Sequence, residues 1–166
     1  MTTSTGRSRQ VRTLLARFRI PLVLLTLFAC QDRSFTADLA SSDTAARIRA
    51  IEFLGTQRDR AAITDFLEAV QDSVVEVQAK AAWALGMVQA KEAVVPIVAM
   101  LSHEEARVRQ SASLALLQIE EPEAIEPLKA AILVEQDDWV RQDMEEAIEH
   151  LKQFEGESDV GEASFR

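Results

Sequence analysis

Few residues in this chain are of a type that can carry out chemistry, and Cys30 is the first of them. It is the sole cysteine among 166 residues, and the sequence has two histidines and no tyrosine. A single cysteine forms neither an intramolecular disulfide nor a thiolate metal site. A glycine-rich phosphate loop is also missing from the sequence. We therefore expect no catalytic residue, no metal site and no cofactor.

Two acidic runs are the next candidates for chemistry. Glu120-Glu121-x-Glu123 and Asp137-Asp138 could act as a carboxylate pair or hold calcium. Neither run has the ligand spacing of a calcium loop. Both precede predicted helices, where acidic side chains favour the positive end of the helix dipole. We therefore interpret both runs as structural.

The segment before Cys30 has the pattern of a secretory signal. Residues 1–29 hold five arginines and no acid, and residues 20–29 are largely apolar and uncharged. Ten apolar residues are too few to span a bilayer core, which requires about 20 in helical form. We therefore expect residues 1–29 to be a cleaved signal peptide.

The four residues Leu27-Phe28-Ala29-Cys30 resemble the lipobox of bacterial lipoproteins, whose cysteine receives diacylglycerol. The resemblance implies a lipidated Cys30, with residues 30–41 as a tether at the cell envelope. Gln31 resembles the rule for sorting to the outer membrane, on its periplasmic face. Secretion as a soluble periplasmic protein, an uncleaved anchor and an organellar transit peptide stay open as alternatives.

The charge balance bears on the class of partner. The formal net charge is -9, and removal of the five arginines of residues 1–29 takes it to -14. Such a chain repels phosphate backbones, and the remainder has no basic stripe with interleaved aromatic residues. We expect a protein partner and no nucleic acid.

A repeat of 31 residues organises residues 42–154. Its columns include Leu54, Leu85 and Leu116, with Gly55 and Gly86 after two of them. Each repeat carries two segments whose apolar residues recur at steps of three and four, which is typical of paired amphipathic helices. The polar residues 155–166 are predicted to be a disordered tail. We predict helices over seven ranges: 43–55, 59–71, 74–88, 91–102, 105–119, 122–134 and 138–154.

The segment Val77-Gln78-x-x-Ala81-Ala82-Trp83-Ala84-Leu85-Gly86 resembles the HEAT repeat, in the short bacterial form of phycobilin lyases. Over residues 42–154 the resemblance implies an all-α, right-handed α–α superhelix, a solenoid of about 3.5 repeats. Small residues such as Gly86 permit turns or tight contacts between helices. Pro96 and Pro127 fall near second-helix starts, where a missing N–H costs least. The last helix, without a second partner, is expected to cap the solenoid with a polar surface.

His103-Glu104 is similar to the dyads that hold iron in deoxyhypusine hydroxylase, a HEAT-type enzyme. This chain has one such dyad. In that family the dyads lie inside the first helix of a repeat, whereas His103 aligns with Asp72, before such a helix. We therefore interpret His103 as a helix-start or loop residue. Asp72 and the adjacent Ser73 are predicted to cap the first helix of the second repeat.

Recurring arginines and aromatic residues are two further candidate sites. Arg47, Arg109 and Arg141 share a column and could bind an anion. The HEAT resemblance implies instead a ladder of ion pairs with acids of neighbouring repeats. The acids available to this ladder are Glu76, Glu105 and Asp137. The aromatic residues, interpreted as packing rather than a ligand cage, are Phe53, Phe66, Trp83 and Trp139.

Second helices line the concave side of HEAT solenoids, so the resemblance implies a protein-binding surface there. The non-core positions of these helices are Thr64, Glu68, Val95, Ala99, Glu126, Ala130 and Leu133. The middle of this stripe is apolar for a surface, as in a partner-binding patch. An alternative is that Val95 and Leu133 fill the core between repeats.

Two functions of different class follow. The first is a membrane-anchored interaction or scaffold module of the bacterial cell envelope, with a protein partner and no enzymatic activity. The alternative is an enzyme or maturation-factor subunit related to phycobilin-lyase-type HEAT proteins.

Overall fold

The computed structural model describes residues 38–155, and in this part of the chain it contains seven α-helices and no strand. The predicted signal peptide, lipidated Cys30, most of the tether and the C-terminal tail lie outside the described residues. The helices are α1 Thr44–Thr56, α2 Ile63–Ala69, α3 Val75–Met87, α4 Val94–Met100, α5 Ala106–Ile119, α6 Ile125–Ile132 and α7 Asp138–Leu151. The all-helical solenoid with seven helices is confirmed.

The two helices of each repeat differ in length and in how they begin. First helices α1, α3, α5 and α7 have 13 or 14 residues, whereas the second helices have 7 or 8. The predicted second helices were longer because each begins with a separate 3-10 turn: Arg60–Ala62, Lys91–Ala93 and Pro122–Ala124. Pro96 and Pro127 occupy the third helical residue, where no N–H has an intrahelical acceptor.

Each paired first helix is followed by a residue in the left-handed region. Arg58, Gln89 and Glu120 have φ values of 53°, 51° and 62°. Asp59 and Ala90, which follow Arg58 and Gln89, bond back to the preceding helix. Asp59 N–H donates to the Leu54 carbonyl and Ala90 N–H to the Leu85 carbonyl, both at 3.0 Å. These bonds resemble a Schellman cap. The glycines of the repeat serve a different purpose.

Gly55 and Gly86 lie where consecutive first helices touch. A Cβ on Gly86 would lie 2.9 Å from Ala115 Cα, and one on Gly55 would lie 2.8 Å from the Trp83 ring. The first helices therefore pack on one another at short range, α1 on α3, α3 on α5 and α5 on α7, while each second helix packs on the next first helix. This confirms the tight contacts expected of the small residues.

Aspartate side chains accept hydrogen bonds at or just before the start of three first helices. Asp43 accepts from the Ala45 N–H at 3.0 Å, and Asp137 accepts from the Trp139 and Val140 N–H groups. Asp72 accepts from Val74, the residue before α3, at 2.8 Å. Asp72 was predicted to cap the first turn of α3, but it bonds to the residue just before that turn. The N-cap residue of α3 itself makes no side-chain hydrogen bond to the first turn.

The last helix closes the hydrophobic core. Its buried side chains are Val140, Met144, Ala147, Ile148 and Leu151. The prediction that Trp139 packs inside is wrong, because its side chain is 76% exposed. Its repeat-equivalent residues Glu76 and Arg107 are also exposed, so this column belongs to the surface in every repeat. Within residues 38–155 no helix has the length and apolar content needed to cross a membrane.

Candidate partner-binding face

The seven residues predicted for partner binding all have exposed side chains, and we call them the second-helix face. Val95 is 79% exposed and Leu133 is 86% exposed. On α4 the core positions belong instead to Val94, Ile97 and Met100. The alternative in which Val95 and Leu133 fill the core between repeats is therefore wrong. Whether a partner binds these residues stays a prediction.

An additional apolar residue next to this face was missed by sequence reasoning. Val134 is 78% exposed and follows Leu133 at the end of α6. The predicted helix extended to residue 134, and Val134 was not assigned to its outward face, whereas Leu133 was. However, α6 ends at Ile132, so the periodicity of the helix does not extend to them. The exposed apolar surface is therefore larger than predicted at its C-terminal end.

The recurring arginines do not form an anion site, because two of the three are already paired with carboxylates of this chain. Arg47 Nη2 donates to Asp72 Oδ1 at 3.1 Å, and Arg109 makes two bonds to the Glu135 carboxylate at 2.7 and 2.8 Å. The ladder between neighbouring repeats therefore exists. The acids predicted for it were wrong: Glu76 pairs with Arg107, Glu105 is an N-cap residue and Asp137 caps α7.

The Arg109–Glu135 pair is the most enclosed ion pair among the described residues. The side chain of Glu135 is 2% exposed. The pKa of Glu135 is lowered from 4.5 to about 2, chiefly by the hydrogen bond from Arg109 and, against the effect of burial, also by the Asp137 and Gln136 N–H groups and the charge of Arg109. The same hydrogen bond raises the pKa of Arg109. This pair holds the third and fourth repeats together.

The middle position of the ladder is neutral. Gln78 stands in the arginine column and donates to the Asp72 carbonyl at 2.6 Å. His103 stands where the other repeats have Asp72 and Glu135. Its Nδ1 accepts from the Glu105 N–H at 3.0 Å, just before α5. This contact fits the interpretation of His103 as a helix-start residue.

The acidic runs have structural contacts as well. Glu120 adopts the left-handed conformation, and Glu121 pairs with Lys91 at 2.5 Å. Among residues 38–155, no group of three or more His, Cys, Asp or Glu side chains could hold a metal ion.

Two depressions of the described surface lie at the loops between helices. One, of about 390 Å³, is open to solvent and is lined by residues that include Gln89, Lys91, Glu121 and Phe154. The other, of about 360 Å³, lies beside the Arg109–Glu135 pair. Both have charged side chains that are already paired within the domain. Of the second-helix face, Glu68 lines a smaller depression beside α2, whereas neither of these two depressions includes Val95 or Leu133.

Comparison with known proteins gives a family and a fold. The family model for HEAT repeats matches residues 34–94 and 63–149. No curated protein matches the chain. Among solved structures, the complex of CpcE and CpcF of phycocyanin lyase from Nostoc sp. PCC7120 is similar, with 19% identity and a TM-score of 0.55 over 74% of this chain. An engineered protein has 20% identity and a TM-score of 0.59 over 76% of this chain. The matches span 65% and 64% of those chains.

Proposed function

The chain belongs to the HEAT-repeat family, and from that premise we propose that it is a protein–protein interaction module that binds its partner through the second-helix face. The observation that carries the proposal is the exposure of Val95 and Leu133. A patch of large apolar side chains exposed on a folded domain is typical of a surface that a partner covers. Aliphatic side chains with polar neighbours also match the core and rim of a protein interface.

Contacts between the first helices support this choice of face. Lys80 pairs with Glu52 across α1 and α3. Arg107 Nη2 lies 3.2 Å from Glu76 Oε1 across α3 and α5, and Gln110 donates to Asp143 across α5 and α7. These polar groups of the first helices thus satisfy one another from repeat to repeat. By contrast, the apolar side chains of Val95 and Leu133 are left exposed to water within the described residues.

Replacing Val95 by Lys together with Ala99 by Glu tests the face. Both positions are exposed, so we expect the melting temperature to stay unchanged while the partner is lost. The measurement is a crosslinking pull-down with the full-length protein from its native cell, paired with thermal unfolding. Leu114→Lys, on the half-exposed side of α5, is the control and should retain the partner. Unfolding of the double variant, or binding by the folded variant, would contradict the proposal.

We propose further that the module is held at the cell envelope by a lipid on Cys30. Support comes from Ala29 and the apolar stretch before the cysteine, in residues outside the described structure. Metabolic labelling with a palmitate analogue is expected to mark the natural protein and to leave Cys30→Ser unmarked. Equal labelling of the two proteins, or labelling of neither, would remove the lipid anchor and leave the interaction module standing.

A second candidate is a subunit of an enzyme or maturation complex. The fold similarity to the CpcE and CpcF complex of phycocyanin lyase favours it. Pigment bound to the purified protein, seen as visible absorbance, would favour this candidate over the envelope module. An interaction face is compatible with both candidates, because such a subunit also binds a protein.

A further inference from the structure

The basic side chains of the second helices and of the turns that lead into them are engaged within the domain. Lys129 Nζ lies 2.7 Å from Glu126 Oε1, and Lys91 Nζ lies 2.5 Å from Glu121 Oε1. Arg60 donates to the Val88 carbonyl at 2.8 Å. Of these three cations only the two lysines pair with a carboxylate, and Arg58, in the loop before α2, is exposed without an acidic partner in the described part of the chain.

Acidic side chains in the same segments are in the opposite situation. Glu68 on α2, Glu92 before α4 and Glu123 before α6 are exposed, and the described part of the chain provides none of them with a basic partner. Glu68 belongs to the second-helix face itself. Glu92 and Glu123 are repeat-equivalent and lie in the turns that lead into α4, which carries Val95, and into α6, which Leu133 follows. The segments that carry the apolar stripe therefore hold three unpaired carboxylates, while both of their lysines are paired.

We infer that the partner presents a basic, amphipathic segment: apolar side chains that cover Val95, Ala99, Ala130 and Leu133, flanked by Lys or Arg that pair with the free glutamates. This inference rests on the proposed function. A carboxylate at the rim of an interface loses hydration when a partner covers the stripe, and an opposite charge offsets that loss. Complementary charge also steers the encounter.

The charge of the domain excludes the other surfaces that an apolar patch could contact. Residues 38–155 hold 23 acidic and 11 basic side chains. An anionic lipid headgroup would meet Glu68, Glu92 and Glu123 and be repelled at physiological ionic strength, where charges interact over about 8 Å. A neutral apolar segment would leave these carboxylates unpaired. A cationic amphipathic segment covers the apolar side chains and also pairs with the free glutamates.

Selection from a random peptide display library, with the purified full-length protein as bait, tests the inference. We expect the enriched peptides to combine aliphatic or aromatic residues with a net positive charge. A synthetic copy of one such peptide should bind Val95→Lys/Ala99→Glu at least tenfold more weakly. The neutral variant Glu68→Gln/Glu92→Gln/Glu123→Gln should weaken it by about three- to a hundredfold at low salt and flatten its salt dependence, since it removes three exposed ion pairs that each contribute about 1.4- to fivefold.

The other outcomes distinguish the claim that the partner is basic from the claim that it binds the second-helix face. Neutral or acidic peptides that lose binding to Val95→Lys/Ala99→Glu would overturn the basic partner and keep the second-helix face. Peptides that bind this folded variant unchanged would overturn the face as well. Binding of the protein to phosphatidylglycerol vesicles, with no peptide enriched, would replace the peptide partner with a membrane surface and overturn the inference.

Discussion

Replacing Leu85 by alanine is expected to lower the free energy of unfolding by about 2–5 kcal/mol, the range for a buried leucine. Leu85 lies in α3, the central first helix, and is fully buried. Its neighbours belong to helices on both sides of the middle repeat, and they collapse little into the space left behind because the Ala and Gly contacts between first helices are already tight. The measurement is denaturant unfolding followed by far-ultraviolet circular dichroism.

Leu114→Ala is the matched control for this change. Leu114 is the same residue type in the next first helix, yet it is 40% exposed. We expect it to cost less than half as much as Leu85→Ala, because less apolar surface returns to water. Equal losses in the two variants, or a spectrum dominated by strand, would contradict the assignment of the core. Both proteins should fold without added metal or cofactor.

Replacing Arg109 by alanine is expected to cost about 3–5 kcal/mol, the range for breaking one partner of a buried ion pair. The change leaves the Glu135 carboxylate enclosed and without its guanidinium. Arg141→Ala is the matched control in the same column: it also loses a backbone contact, to the Glu135 carbonyl at 2.6 Å, but its acidic partner Asp138 is 89% exposed and such pairs contribute about 1 kcal/mol or less, so we expect a smaller loss. A loss of similar size in both variants would show that the enclosure of Glu135 has no energetic effect.

The same pair predicts how stability depends on acid. The pKa of Glu135 is lower in the folded protein, at about 2, than its ordinary value of 4.5. The unfolded state therefore binds the proton first, so the contribution is fully present above pH 4.5 and is lost as pH falls toward 2. Its size is about 3 kcal/mol. Glu135→Gln should lose this part of the pH dependence, which stability curves between pH 5 and 2 can measure. A Glu135→Gln variant with the same pH dependence of stability as the natural protein would contradict this prediction.

The sequence by itself determined the repeat, the helices and the core. Leu54, Leu85 and Leu116 are all buried, as their shared column predicted. Periodicity carries this information because the faces of a helix are set by 3.6 residues per turn, whatever the neighbours are. For the same reason the outward positions of the second helices, Val95 and Leu133 among them, were identified correctly as surface candidates.

Other features depended on how the repeats stack. The ladder was predictable as a type of contact, but its acids, Asp72 and Glu135, were not. An arginine side chain reaches several residues on the next repeat, and the rotation between repeats selects among them. Trp139 shows the same limit, since its position in the repeat was interpreted as a packing position, whereas its column lies on the surface.

The charge pattern of the second-helix face was likewise settled by tertiary structure. In the sequence, Lys91, Lys129 and the glutamates around them are simply mixed charges. Lys91 reaches Glu121 only because two repeats stack, 30 positions apart in the chain, and this leaves Glu92 and Glu123 free. Periodicity is a local property and identifies which side chains face water. Pairing between repeats is a property of the stack, because distances of a few ångströms decide which charges remain for a partner.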